Sequence, residues 1–141
     1  MATFFKFQDF TEQVIRGTHD FDAHAFKVYL TNTAPDAGAD AVKADLAEIS
    51  AGSGYTAGGA ATTITLAEVS GTTTVSGTEI TWTASGGSIG PFRYAVLYND
   101  TSASKNLVGA WDYGSSLTLA AGESLNWKPS NTSPGAIMTL A

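Results

Sequence analysis

The residues of this chain best suited to chemistry lie between His19 and His24, where the segment reads His-Asp-Phe-Asp-Ala-His and holds both histidines of the chain. Two imidazoles and a carboxylate are ligands that a transition metal accepts. In an extended strand, His19 points to the opposite face from Asp20, Asp22 and His24, so the four converge only if the chain turns. The alternative is that these residues form a solvent-exposed segment that leads into the strand near Phe26. No supporting ligand is evident elsewhere, and we predict no metal and no other cofactor.

The sequence does not contain the patterns that mark other kinds of catalytic site. Gly52-Ser53-Gly54 lies in a glycine-rich stretch and not in the Gly-x-Ser-x-Gly elbow of a serine hydrolase. The segment 85–91 is also glycine-rich, but it lacks the Gly-Lys-Ser/Thr ending of a phosphate-binding loop and leads into a strand. The absence of cysteine excludes a cysteine nucleophile and a thiolate zinc site. No pair of acids stands out for glycoside hydrolysis, whose geometry a sequence does not show. We predict that the protein is not an enzyme.

The tryptophans offer a second kind of site, an aromatic platform for a sugar. Trp82 alternates with Ile80, and Trp127 alternates with Leu125. This pattern places both indoles on apolar strand faces, where large aromatic side chains contribute to a core. We therefore predict that they, with Trp111, belong to the core.

Composition restricts the class of protein further. The 141 residues are 43% hydrophobic and 14% charged, which indicates one compact domain spanning residues 1–141. The net charge of −6 comes without any cluster of Lys and Arg, so we predict no nucleic-acid partner. We predict no membrane association, because no apolar run approaches the roughly 20 residues of a membrane helix. The first residues do not form a secretory signal, and we expect synthesis and folding in a cytoplasm.

Most of the chain has the two-residue alternation of β-strands. Phe26, Val28 and Leu30 form the first such pattern, and the segments 92–98 and 107–111 are apolar on nearly both sides, as central strands are. About eight strands without intervening helices predict an all-β protein, either an antiparallel β-sandwich or a jelly-roll-like barrel. The residues predicted to point inward are Phe26, Val28, Leu30, Ile64, Leu66, Ile80, Trp82, Tyr94, Val96, Trp111, Leu117, Leu119 and Leu125.

One or two short helical segments accompany the strands. Residues 9–17 place Phe10 and Val14 at helical spacing with Gly17 as a stop, although a strand over 11–15 is the alternative. Residues 36–50 have apolar residues at helical spacing and predict either a short helix or a set of turns. Residues 51–60 predict a loop because of their four glycines. The Ala-Ala-Gly-Glu sequence at 120–123 predicts a tight hairpin turn.

The amino-acid sequence of several segments resembles that of a small protein that is widespread in tailed bacteriophages. The resemblance covers most of the chain from Ala25 onward. The similar segments are structural and contain no catalytic motif. The similar segments are 26–35 (FKVYLTNTAP), the glycine-rich GYTAGG loop, 82–101 (WTASGGSIGPFRYAVLYNDT), 107–119 (LVGAWDYGSSLTL), the Gly-Glu pair at 122–123 and the closing Leu-Ala.

This resemblance implies a virion structural protein on the capsid surface. The expected role is that of a head decoration or cement protein, which binds the major capsid protein and stabilises the assembled head. The expected assembly is a homo-oligomer, specifically a trimer, because decorating proteins commonly occupy local threefold positions. The alternative is a tail or fibre component with a carbohydrate-binding receptor module.

The first 24 residues are the part of the chain least like that family. Phe4, Phe5, Phe7 and Phe10 lie within a few residues of one another, which is more apolar surface than an exposed terminus normally carries. One interpretation is an N-terminal arm over 1–24 whose phenylalanines bind the capsid partner. The other is that the same phenylalanines close the domain's own sandwich as a first strand.

Overall fold

The computed structural model describes residues 2–130 and 134–141. Within these residues the protein has an all-β, sandwich-like fold with ten strands and one α-helix, α1 (Gln8–Ile15), which confirms the predicted fold class. The strands are β1 (Thr3–Lys6), β2 (Phe26–Thr31), β3 (Ala60–Thr62), β4 (Ile64–Val69), β5 (Thr72–Gly77), β6 (Ile80–Thr83), β7 (Ile89–Asn99), β8 (Leu107–Leu119), β9 (Ser124–Trp127) and β10 (Gly135–Leu140).

The largest sheet has five antiparallel strands in the order β1-β8-β7-β2-β3. Neither β7 nor β8 is an edge strand, as their continuous apolar runs predict. A three-stranded sheet, β10-β5-β4, and a two-stranded sheet, β6-β9, are separate from it. We call the three-stranded sheet the small sheet.

Apolar side chains from the large sheet belong to two separate core clusters. The first cluster joins the large sheet to the two smaller sheets, and the second combines residues of the large sheet with Phe7 and Leu46. Because β2 supplies Val28 to the first cluster and Tyr29 to the second, both of its faces are buried. The large sheet is therefore the buried middle layer of the fold.

Helix α1 forms where the spacing of Phe10 and Val14 predicts it. It ends in a Schellman motif, in which the Thr18 N–H donates to Gln13 O at 2.9 Å and the Gly17 N–H donates to Val14 O at 3.1 Å. Gly17 has a φ of +80°, which glycine adopts without the steric cost of a side chain. The helix buries Phe10 and directs the chain toward the histidine segment.

The segment between β2 and β3 consists of turns. Of the two alternatives for residues 36–50, the set of turns is observed, with one short 3₁₀ helix at Lys43–Asp45. Close packing against β2 requires glycine at position 59, because a Cβ there would lie 1.9 Å from the Val28 carbonyl oxygen. Glu48 stabilises the same region by accepting hydrogen bonds from the Tyr55 hydroxyl at 2.7 Å and the Gly58 N–H at 2.6 Å.

The structure corrects three details of the predicted strands. Leu66 was expected to point into the core, but it is 41% exposed on β4, because this end of the small sheet is incompletely covered. The strand predicted at 107–111 is longer than expected, since β8 continues through Leu117 to Leu119. The predicted turn at 120–123 is present, with a hydrogen bond from Glu123 N to Ala120 O, but it does not make a hairpin because β9 pairs with β6.

The other residues predicted to point inward lie in or against the core. Ile64, Leu117, Leu119 and Leu125 are half-buried and packed against the first cluster. The remaining eight are buried: Phe26, Val28, Leu30, Ile80, Trp82, Tyr94, Val96 and Trp111.

Candidate functional site

The phenylalanines near the N-terminus all pack against the chain's own core. Phe7 and Phe10 are 0% and 1% exposed. Phe4 and Phe5 are half-buried on β1, which pairs with β8, and the Phe4 ring lies 4.8 Å from the ring of Trp111. The first strand of the second interpretation is present for Phe4 and Phe5, whereas Phe7 follows that strand and Phe10 lies in α1.

The polar segment from His19 to His24 is organised by the Asn99 side chain at the end of β7. Its Oδ1 accepts hydrogen bonds from the backbone N–H groups of Thr101 at 3.0 Å and Ser102 at 3.1 Å. Its Nδ2 is directed at Nδ1 of His19 at 3.2 Å and Nδ1 of His24 at 3.0 Å. We call His19, His24 and Asn99 the His–Asn cluster.

The hydrogen bonds of the cluster define the tautomers of its histidines. Because Asn99 Oδ1 already accepts two backbone N–H groups, the atom facing the imidazoles is the NH₂ group, which only donates. The Asp20 N–H also faces Nδ1 of His24, at 3.3 Å. Nδ1 of each ring is therefore an acceptor, and in the neutral ring the proton lies on Nε2. Protonation of Nδ1 of His19 would place an N–H group against the Asn99 NH₂ group.

His19 lies within a group of aromatic rings. It is 8% exposed, and its ring centroid is 5.1 Å from that of Phe10 and 5.9 Å from that of Phe21. Burial, followed by the nearby His24, lowers the pKa of His19 to about 4, although Asp9 acts in the opposite direction. Its Nε2 is buried without a hydrogen-bond partner among the described residues. The neutral imidazole behaves here largely as another aromatic ring.

The cluster connects distant parts of the chain and does not assemble the metal site considered from the sequence. A turn brings the two histidines together, but both Nδ1 atoms face Asn99, and Asp20 Oδ1 accepts the backbone N–H groups of Asp22 and Ala23. Across residues 2–130 and 134–141, no group of three or more His, Cys, Asp or Glu residues is arranged to hold a metal ion. The geometry supports a clamp that fastens the α1–β2 loop to β7.

The tryptophans are all in the core, as predicted. Trp82, Trp111 and Trp127 are 3% exposed or less, and the Trp111 and Trp127 rings contact each other edge to face at 4.9 Å. The Trp111 indole N–H also donates to Pro129 O at 3.3 Å. These three rings consequently do not form a sugar platform on the surface.

Exposed apolar side chains are concentrated on the small sheet. Among the described residues four large hydrophobic side chains are exposed, and three of them belong to this sheet: Leu66, Val69 and Leu140. The fourth, Ile15, ends helix α1. Leu66 and Leu140 share one face of this sheet, and Val69 lies on the other face.

The side chains of the small sheet divide between two faces. Val75 is buried on the inner face, directly opposite Leu66 and Met138 on the neighbouring strands. The alternate residues form the outer face, and they are exposed or half-exposed: Thr65, Ala67, Val69, Thr72, Thr74, Ser76, Ala136 and Thr139. Across these three strands, no outward side chain is charged.

Comparison with protein-family models, with curated proteins and with solved structures gave no match. In the part of the chain that the structure describes, no helix is long and apolar enough to cross a membrane.

Sequence reasoning missed two parts of this arrangement. Asn99 was not considered as a partner of the histidines, and no local signal reveals it, because it lies 75 or more positions further along the chain. The β4–β5 hairpin had a signal that was overlooked. Ser70-Gly71 separates two alternating segments, and both residues adopt the positive φ that a tight hairpin turn requires.

Proposed function

We propose that this protein is a virion structural protein of a tailed bacteriophage, specifically a decoration protein that binds the assembled head and stabilises it without catalysis. The phage assignment is supported by the family resemblance, which covers most of the chain from Ala25 onward. The observation that carries the binding role is the outer face of the small sheet, which has no charged side chain and exposes Val69 beside threonine and alanine side chains. The major capsid protein is the proposed partner.

A surface of this kind suits binding in many copies. Desolvating threonine and alanine costs less than desolvating charged side chains, so such a face can be covered by a partner without compensating ion pairs. Each contact can be modest, because a particle presents many equivalent sites and subunits that are linked to one another bind with avidity. The proposed location is the capsid surface, after synthesis in the host cytoplasm.

We propose that the protein acts as a homotrimer. Strands β4 and β10 are the edges of the small sheet, so each leaves backbone hydrogen-bonding groups that no strand of the described chain pairs. Pairing or covering such edges between subunits is one route to a closed assembly. Sedimentation equilibrium tests this directly, in solution and after release from particles. A monomer in both conditions contradicts the trimer.

The binding role is tested with purified shells that lack the protein. We expect saturable binding and a higher shell melting temperature, both lost in Thr65→Lys, which places a charge on the outer face of the small sheet. The matched control is Thr118→Lys, because Thr118 is exposed on β8 of the other sheet. Unchanged binding by Thr65→Lys, or equal loss in both variants, contradicts the assigned face.

Labelling of intact particles tests the location. Antibody-gold or cryo-electron microscopy of a fusion protein should mark the head in many regularly spaced copies. Label confined to the tail or its fibres would replace the decoration role by the tail alternative, and unlabelled particles would contradict a virion protein altogether.

A further inference from the structure

A groove opens between the inner face of the small sheet and the α1–β2 loop. Its volume is about 470 Å³. One wall is the loop from Gly17 to Asp22, and the other consists of Leu66, Thr73, Val75 and Leu140. Leu66 is directly opposite Val75 in the sheet, and Thr73 is directly opposite Leu140, so the sheet wall is formed by two adjacent cross-strand rows.

The floor and the rim of the groove differ in chemistry. The floor is apolar, with the Phe21 ring on the loop side and three aliphatic side chains on the sheet side. The charged residues of the lining are the acidic Asp20 and Asp22. The Asp20 carboxylate accepts hydrogen bonds from two backbone N–H groups of the turn. The Asp22 carboxylate is exposed and forms no ion pair with a described residue. The lining contains no Lys or Arg.

The loop wall is fixed in place before any partner binds. The His–Asn cluster links the loop to β7 through the hydrogen bonds of Asn99. The Phe21 ring stacks on the Phe26 ring, with 4.6 Å between the ring centroids and 5° between the ring planes. A wall held in this way loses little conformational entropy on binding, which favours affinity. Apolar side chains left uncovered in a preformed groove are the usual floor of a binding site.

We propose that this groove binds a partner segment in which an aliphatic side chain is flanked by lysine or arginine. The aliphatic side chain covers Leu66 and Leu140, and the cation pairs with Asp22. Charge complementarity selects this partner, because the rim is acidic and the whole chain carries −6. The inference rests on the proposed function, since it names the chemistry of the segment that the capsid protein would offer.

Another groove of the protein has the opposite character. It is lined by Asn32, Thr33, Ala47, Glu48, Ile49, Ser50, Gly90 and Pro91, and it has a volume of about 380 Å³. Its one charged residue, Glu48, already accepts hydrogen bonds from Tyr55 and Gly58 and forms an ion pair with Lys43 at 2.7 Å. That groove offers neither an apolar floor nor an unpaired charge.

The test is a nuclear magnetic resonance titration of the whole protein with three capped peptides: Gly-Lys-Leu-Lys-Gly, Gly-Glu-Leu-Glu-Gly and Gly-Lys-Ser-Lys-Gly. We expect the first peptide to shift the amide signals of Asp20, Phe21, Asp22, Leu66, Thr73 and Leu140. The other two peptides should bind about threefold to tenfold more weakly, because each lacks either the ion pair or the apolar anchor.

Variants separate the two contributions. Asp22→Asn should weaken binding of the Lys-Leu-Lys peptide about threefold. Glu79→Gln makes the same change of charge at the β6 end of the molecule and should not weaken it. Leu140→Ser should weaken it similarly, while Val69→Ser, on the outer face of the same sheet, should not. Absent or equal shifts with the three peptides, or equal effects of variants and controls, would overturn the inference. The titration uses no shells, so failure of shell binding leaves its result intact.

Discussion

The large sheet and the small sheet are both antiparallel and both show residue alternation, yet they have different surroundings. In the large sheet, β7 carries six consecutive buried residues, from Tyr94 to Asn99, so neither of its faces is exposed. In the small sheet, β4 has no fully buried residue, and β5 buries only Val75 and Gly77. Aromatic side chains are frequent on the strands of the large sheet and absent from the three strands of the small sheet. The difference separates the part that holds the fold together from the part that we propose faces other molecules.

The largest expected effect comes from removing residues 2–10, which takes β1 away from the large sheet. Phe7 and Phe10 are fully buried, and losing a buried phenylalanine costs about 3–5 kcal/mol. Losing both therefore removes a large part of a free energy of unfolding that is about 5–15 kcal/mol for a typical protein. We expect an unfolded chain with a far-ultraviolet spectrum lacking β structure. A folded truncated protein that no longer binds shells would instead establish the arm interpretation.

Trp111→Ala should destabilise the protein by about 3–5 kcal/mol, because it removes the partner of Trp127 and of Phe4 in the large-sheet core. Urea unfolding followed by circular dichroism measures the change. Leu66→Ala is the comparison in the small sheet, and it should cost about 1 kcal/mol or less because its side chain is 41% exposed. Equal losses in the two variants would contradict the division between the sheets.

Acid should destabilise the protein through His19, in the loop that the His–Asn cluster fastens to β7. Its pKa is about 4 in the folded protein against 6.5 ordinarily, so the unfolded chain takes up the proton first. The resulting stability is fully present above about pH 6.5 and is lost as the pH falls toward 4, by on the order of 3 kcal/mol. The measurement is the free energy of unfolding at pH 7.5, 6, 5 and 4.5.

His19→Phe supplies the control, because a phenyl ring suits the aromatic surroundings and does not titrate. Its free energy of unfolding should fall less between pH 7.5 and 4.5 than that of the natural sequence. Parallel pH curves for the two proteins would mean that His19 does not carry the effect.

The smallest effect on stability is expected for Val69→Thr on the outer face of the small sheet. Val69 is 71% exposed, so the change should stay within about 0.5 kcal/mol. Shell binding should nevertheless weaken, because the variant removes apolar area from the proposed contact. Loss of stability without loss of binding would reverse the roles given to the two sheets.

The sequence predicts the large sheet better than the small one for a physical reason. An apolar run such as 92–98 can be stable only when both faces are covered, so its pattern specifies the environment. The alternation of Ile64 and Leu66 specifies two faces but not whether a second layer covers either one. Leu66 was therefore assigned to the core, although it borders an open groove.

Parts of the site depend on contacts between residues far apart in the chain. The histidine segment suggested chemistry, but its actual arrangement depends on Asn99, which no local spacing connects to it. The turn at 120–123 was predicted from its residues, whereas the pairing of β9 with β6 depends on how the layers assemble. Turn chemistry is local, and strand pairing between layers is not.

The pairing of β1 with β8 has a consequence for the order of events during synthesis. Thr3 pairs with Asp112 and Lys6 with Gly109, so β1 leaves the ribosome roughly 100 residues before its partner, a delay of about 5–20 s at ordinary rates of translation. During this interval Phe4, Phe5, Phe7 and Phe10 are exposed on a nascent chain. The β4–β5 hairpin forms from neighbouring residues and can close within microseconds. The β4–β5 part of the surface proposed to meet the partner can thus take shape before the core is complete, whereas β10, the third strand of that surface, is synthesised last.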